Sequence, residues 1–255
     1  INDLSLYDLA YYNYHDSLIT YNLTSFDNNL LMKLLVVVSR IAKMPMDDVS
    51  RLGVSNWIRS MLYFEHRKIN ALIPKNSELR TKGDSNTEAM IKGKKYKGGL
   101  VVEPKSGVFF DITVLDFASL YPSIIKVHNL SYETVRCSHN ECKTNLITET
   151  NHWVCKKQRG ITSLIIGSLR DLRVNYYKRI SGADSLSTED QNLYTVVAQA
   201  LKVILNASYG VMGAEIFPLY CLPVADATTA IGRFSIKSTI KKCKDLQINV
   251  VYGDT

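Results

Sequence analysis

The chain has 255 residues, 46% hydrophobic and 22% charged, which suits a globular core of one or two domains and excludes a disordered or low-complexity protein. Lys and Arg number 31 against 24 Asp and Glu, and the net charge of +7 favours a polyanionic partner without naming one. The most apolar run, 30–38, contains Lys33 and is too short to span a bilayer, and no signal peptide is visible. The expectation is an intracellular, cytoplasmic protein with no membrane partner. Ile1 is not an initiator methionine and both ends fall inside organised sequence, so the chain reads as an internal fragment.

Residues 4–21 place apolar and aromatic side chains at helical spacing, and the apolar run 27–44 predicts a core helix ending before Pro45. A third helix is predicted over 54–68, with Trp57, Ile58, Met61, Leu62 and Phe64 at its apolar positions. Residues 75–96 are polar and read as a loop or linker. From Gly98 the texture changes to short β-rich runs, 99–103, 107–111 and 113–117, punctuated by Pro104 and Gly107. Pro122 marks the turn into a short helix, and the polar stretch 135–157 holds three of the five cysteines. Two long helical patterns, 162–181 and 189–208, flank Gly182-Ala-Asp-Ser and predict a helical hairpin carrying Arg170, Arg173, Lys178 and Arg179 on its first arm. A further helix over 228–244 feeds a strand at 248–252 and a turn at Gly253-Asp-Thr. The fold class is α+β, with acidic residues near strand ends and a basic helical hairpin inserted between them.

Three constellations carry chemistry. In Leu115-Asp-Phe-Ala-Ser-Leu-Tyr-Pro-Ser-Ile-Ile125, Asp116 ends an apolar strand and a helix start follows. A carboxylate there can hold Mg²⁺ while the next amides meet phosphate oxygens, although an ordinary helix cap fits the same pattern. In Val250-Val-Tyr-Gly-Asp-Thr255, Gly253 permits a tight hairpin that presents Asp254 at its tip, and a plain Asp-containing turn also fits. Two such acidic strand ends brought together make a two-metal site, one ion for an attacking hydroxyl and one for a triphosphate. The third is Lys202-Val-Ile-Leu-Asn-Ala-Ser-Tyr-Gly210, where Lys202, Asn206 and Tyr209 share a helix face. A cation, an amide and a ring in line suit a nucleotide, with Arg173 adding a bidentate phosphate contact; a solvated basic face is the plainer reading.

Together these motifs resemble, in order and rough spacing, motifs A, B and the opening of C of the family B DNA polymerases, most closely the replicative members of Sulfolobus-type crenarchaea. The likeness covers the whole chain. It implies DNA-directed DNA synthesis with two Mg²⁺ ions, using primer–template DNA and dNTPs. Asp116 and Asp254 become the metal-binding carboxylates, and Phe117 offers a carbonyl to a metal. Ser119 and Leu120 give amides to the triphosphate, and Tyr121 is the steric gate against a 2′ hydroxyl. Arg173 and Lys202 grip the triphosphate, while Asn206, Tyr209 and Gly210 lie beside the nascent pair. Tyr96-Lys-Gly-Gly99 is similar to the element that touches template backbone, giving Tyr96, Gly98 and Gly99 a DNA contact; a simple hinge also fits. Tyr12-Asn-Tyr-His-Asp16 is similar to the last exonuclease motif, so Tyr12 and Asp16 would serve 3′→5′ hydrolysis, although a surface helix fits these residues too.

The resemblance divides the chain into the end of the exonuclease domain (1–27), a helical linker (28–95), palm (96–157), fingers (158–213) and second palm segment (214–255), with no thumb. Sliding-clamp and accessory contacts would lie in regions outside the chain. Ala207 stands where motif B usually has Ser, and Tyr177 stands where a second fingers lysine is frequent, with Lys178 one step on. Cys137, Cys142 and Cys155 lie near His139 and His152 at irregular spacing without a Cys-x-x-Cys pair, a weak zinc pattern. The resemblance instead implies a Cys142–Cys155 disulfide of the kind hyperthermophilic archaea retain inside cells. Reduced thiols are the bland alternative. A non-catalytic nucleic-acid-binding or assembly subunit derived from a polymerase, and a zinc-binding structural module, are the rival functions.

Overall fold

The computed structural model describes residues 5–83, 97–183 and 185–255; Tyr96 lies outside them. Helix α1, Leu6–Ala42, opens on Ser5, whose hydroxyl accepts from the Asp8 amide at 3.1 Å. It is interrupted at Phe26–Asn29, where Asp27, Asn28 and Asn29 adopt left-handed backbone, the region that Asp and Asn tolerate best. The two helices expected here therefore form, joined by a kink. The first half is exposed, including Tyr7, Tyr11, Tyr12 and Tyr14. The second buries Val38 and Ala42 beside α2, Met46–Arg51.

Helix α3, Val54–Lys68, coincides with its predicted span and buries Ile58, Met61 and Leu62. After the short α4, Asn76–Arg80, and strand β1, Val101–Val102, helix α5, Leu120–Val127, carries Tyr121. Helix α6, Ile161–Asp171, continues through a π turn at Leu172–Tyr177 into α7, Lys178–Ile180, and α8, Thr188–Met212, returns alongside it. The hairpin is thus present as expected. Ser187 caps α8 through the Asp190 amide at 3.1 Å, and Glu189 and Asp190 suit its positive end. By length and composition alone α8 could cross a membrane, yet Val197, Leu201, Ile204, Leu205 and Met212 face the protein core.

Helix α9, Leu222–Asp245, begins six residues earlier than the predicted 228. Every residue from Leu222 to Arg233 is buried, so this half lacks the polar face that makes helical periodicity readable. Pro223 in its first turn is compatible with a helix start. One core joins α3, α5, α6, α8 and α9 through Leu62, Ile125, Ile166, Leu205 and Val224.

The β content is smaller than expected. Among the described residues, the sheet is β1 paired antiparallel with β2, Gly253–Asp254, in the register Val101↔Asp254 and Val102↔Gly253. Flanking bonds run from the Thr255 amide to Leu100 O at 3.1 Å and from Lys105 to Val251 O at 3.2 Å. The runs 107–111 and 113–117 carry strand-like residues but form no strand, and Val108, Phe110, Val114 and Leu115 are exposed. Strand propensity produces a strand only where a neighbour supplies ladder partners, and none of the described segments does so here. The expected final strand, 248–252, likewise gives way to the shorter β2.

Candidate active site

Tyr121 sits at the junction of the site. Its ring packs against Tyr209 of α8 with centroids 4.5 Å apart, and its hydroxyl lies 3.4 Å from Thr255 Oγ1. Thr255 Oγ1 also accepts from the Leu100 amide at 2.9 Å. Helix α9 passes under the tyrosine at Gly232, where a Cβ would come within 3.0 Å of Tyr121 Cε1. Gly99 closes the other side, since a Cβ there would lie 2.0 Å from Thr255 Oγ1 and 3.1 Å from the Tyr121 hydroxyl. Four other segments therefore converge on this one side chain.

Arg173 links the hairpin to this junction. Its Nη1 donates to Ser119 Oγ at 3.0 Å and its Nε to Ala198 O of α8 at 3.1 Å. Ser119 takes a left-handed backbone (φ 56°) immediately before α5. That conformation sets the entry of the helix and aims its first free amides, those of Leu120 and Tyr121, out of the end. Arg173 lies on the π turn, a local widening that often accompanies functional positions. On α8, Lys202 and Asn206 are exposed one turn apart while Tyr209 is half-buried. Burial first, and then Tyr121, push the Tyr209 hydroxyl pKa up. Gly210 follows on the exposed side.

The two expected metal carboxylates are placed differently from the sequence picture. Asp254 lies in β2 opposite Val101 instead of at a hairpin tip, and Gly253 does not use a positive φ. A strand partner for 253–254 is available at 101–102, so the backbone stays extended. Asp116 and Phe117 lie on the exposed irregular segment before α5, outside the sheet. Adjacent strand ends are thus not what carries the pair, because the 113–117 strand does not form. Both carboxylates are exposed hard oxygen donors of the kind Mg²⁺ prefers. Asp254 Oδ2 accepts from the Tyr252 hydroxyl at 3.0 Å, an interaction that pushes the Tyr252 pKa up.

Tyr12 and Asp16 stand one turn apart on the exposed first half of α1, and Asp16 lines a shallow groove with Ser17, Thr20 and Tyr21. Gly98 and Lys97 are held by a residue the sequence reading missed. Arg233 of α9, 1% exposed, donates through Nη1 to Lys97 O and Gly98 O, both at 2.8 Å, and through Nε to Glu149 Oε2 at 3.2 Å. An arginine inside an otherwise small and apolar helical run (Ala230-Ile-Gly-Arg-Phe) was the available signal, since such a charge is buried only with partners.

The model of DNA polymerase family B matches residues 44–255. The chain belongs to DNA polymerase family B. It is 47% identical, over its full length, to DNA polymerase 1 of Sulfurisphaera ohwakuensis and 48% identical to DNA polymerase 1 of Saccharolobus solfataricus, covering 30% and 29% of those proteins. It also resembles the solved family B DNA polymerase of the hyperthermophilic archaeon Pyrobaculum calidifontis at 27% identity, with a TM-score of 0.62 over 94% of this chain and 31% of that one. The chain therefore spans about 30% of the length of these curated relatives.

Within this family B segment, Tyr177 stands on the first arm of the hairpin, at the position where the resemblance implies a second lysine. Its ring meets Tyr176 edge-on at 5.1 Å and Tyr194 of α8 at 5.8 Å, so an aromatic cluster fills the hairpin there while Lys178 remains exposed. All five cysteines are free, including Cys142 and Cys155, so the disulfide implied by the resemblance is not made in this structure. Instead, both sulfurs share a cluster with Cys137 and His139.

Two predictions arise from this geometry. Arg173→Ala should lower kcat/KM for nucleotide by about 10- to 150-fold, the equivalent of one lost charged hydrogen bond of about 1.5–3 kcal/mol, while primer–template affinity changes little. Lys202→Ala should behave alike. Steady-state kinetics in a chimera, in which this chain replaces the matching part of the Saccharolobus solfataricus enzyme, check both; unchanged kinetics exclude the residue from that role.

Acid should loosen the Arg233 clamp. Burial pushes the Glu149 carboxyl up, but Lys237 and Arg233 outweigh it and hold the pKa below the ordinary carboxylate value. A depressed folded pKa contributes stability that is complete above the unfolded value of about 4.3 and lost as pH falls through the folded one. The protection factor of the Leu100 amide against hydrogen exchange should therefore fall as pH drops below the ordinary Glu value of about 4.3, and Glu149→Gln should flatten that dependence.

Proposed function

We propose that this chain is the catalytic segment of a DNA-directed DNA polymerase, which joins a deoxynucleotide to a primer 3′ hydroxyl and releases pyrophosphate. The observation that carries the reading is the junction at Tyr121, where residues of motifs A, B and C meet in a member of family B. Asp116 and Asp254, with the Phe117 carbonyl, would hold two Mg²⁺ ions. When bound, these ions supply Lewis acidity for the hydroxyl and charge neutralisation for the triphosphate. Ser119 and Leu120 present amides to phosphate oxygens, and Arg173 and Lys202 add positive charge from the hairpin. Tyr121 and Tyr209 form an apolar floor for the sugar and nascent pair, with Asn206 and Gly210 alongside. Tyr96, Gly98 and Gly99 follow the template backbone, a task for which Arg233 fixes the Lys97 and Gly98 carbonyls.

The division into exonuclease end, linker, palm and fingers follows the same reading, with Tyr12 and Asp16 serving 3′→5′ hydrolysis. Primer–template DNA and dNTPs are the partners, with a sliding clamp and accessory subunits reached through other parts of the protein, in the cytoplasm. A non-catalytic descendant would have no need to keep both Asp116 and Asp254, and both are present.

The test is the same chimera. Mg²⁺-dependent primer extension supports the proposal, and a folded chimera that binds DNA without extending it overturns it. The 255-residue chain alone should bind DNA through its net charge of +7, with affinity falling steeply with salt and without useful extension.

A further inference from the structure

Cys137, His139, Cys142 and Cys155 each aim a donor atom at one point, with all four donors within 4.8 Å of one another. The three cysteines are buried and His139 is partly so. They come from separate pieces of backbone: Cys137 ends one segment, His139 and Cys142 flank and occupy the 3₁₀ turn Asn140–Thr144, and Cys155 closes the loop. Isolated bridges Val135↔Val154 and Leu146↔Trp153 draw these pieces together. The Trp153 indole donates to Cys137 O at 2.9 Å and packs over the cluster.

The geometry points to a structural zinc site of three thiolates and the His139 Nδ1, a site separate from the polymerase chemistry and independent of that reading. Four donors are the closed tetrahedral complement of a structural zinc ion. Zn–S bonds of about 2.3 Å put sulfurs about 3.7 Å apart, so closure from the present spacing needs a contraction of about an ångström or less. Cys155 Sγ and His139 Nδ1 are already 3.4 Å apart. The Lys156 amide lies 3.4 Å from Cys142 Sγ, an N–H···S contact that supports a thiolate ligand from outside the coordination sphere. A Cys142–Cys155 disulfide would use two of the four donors and leave Cys137 and His139 converging without a purpose. Binding releases the three thiol protons to solvent and changes no oxidation state.

The loop that zinc would close is the one that reaches α9. Glu149 meets Arg233, and His152 meets Asp226 at 3.2 Å with both side chains fully buried. Zinc would therefore brace the support of the Lys97–Gly98 backbone from a distance.

Elemental analysis of the 255-residue chain, purified under reducing conditions without chelator, should give about one zinc per chain. Cobalt(II) replacement should give an intense sulfur-to-cobalt charge-transfer band with tetrahedral d–d bands. Cys137→Ala should lose the metal, whereas Cys243→Ser, on the C-terminal half of α9 away from the cluster, should retain it. Cys137 separates zinc from the disulfide, which does not need it. If substitution prevents folding, the cobalt spectrum of the unaltered chain decides. A chain with no bound metal and no cobalt–thiolate band overturns the proposal, as do zinc retained by Cys137→Ala and recovery of Cys142 and Cys155 as a disulfide.

Discussion

Replacing Asp116 or Asp254 by Asn should abolish primer extension in the chimera while leaving primer–template binding nearly intact. Each change keeps the side chain's shape and removes the charge that a divalent ion requires. Several kcal/mol of transition-state stabilisation depend on that ion, and about 4 kcal/mol corresponds to a rate loss of about 10³-fold. Neither residue is buried, so the folded state should tolerate both substitutions. Single-turnover extension with Mg²⁺, set beside DNA affinity and thermal unfolding of the same proteins, separates chemistry from folding. Asn variants that extend at the parental rate would remove these carboxylates from the site.

Tyr121→Ala should change which sugar is accepted. The ring stands between Tyr209 and Gly232, and deleting it opens space beside the nucleotide's expected sugar position. Discrimination by close packing is worth about 1–3 kcal/mol, so ribonucleotide use relative to deoxyribonucleotide use should rise about 10- to 200-fold. Tyr121→Phe keeps the ring and loses only the approach to Thr255, and should preserve discrimination. Competition between rNTP and dNTP in the chimera reads the ratio, and an unchanged ratio for Tyr121→Ala would show that another group excludes the hydroxyl.

The amphipathic helices were the most legible part of the sequence. Helix α3 and the α6–α8 hairpin have one apolar and one polar side, so their periodicity survives in the residue order. The buried start of α9 has no such contrast, and its beginning was misplaced. The strands at 107–117 failed for a different reason, because pairing depends on a partner distant in sequence. The motifs located Tyr121, Tyr209 and Arg173, and the structure joins these residues to a common junction. Spacing along the chain placed Thr255 in a motif without giving it a contact, and gave no access to Gly232 or Arg233. Their importance arises from contacts across 134 positions from Tyr121 to Thr255 and 136 from Lys97 to Arg233. The four-donor cluster was half-visible. Its residues were noticed, but irregular spacing concealed that a 3₁₀ turn and two short bridges fold them onto one point.

The crowding around Gly99 limits how this part of the protein can drift over evolution. A methyl group at Gly99 would overlap the Thr255 hydroxyl, which in turn is tied to Leu100 and faces Tyr121. Positions 99, 121, 232 and 255 are consequently coupled by packing, although they lie in four separate stretches of the chain. A larger residue at Gly99 requires the Thr255 side chain to shift, and one at Gly232 requires the Tyr121 ring to give by a few tenths of an ångström.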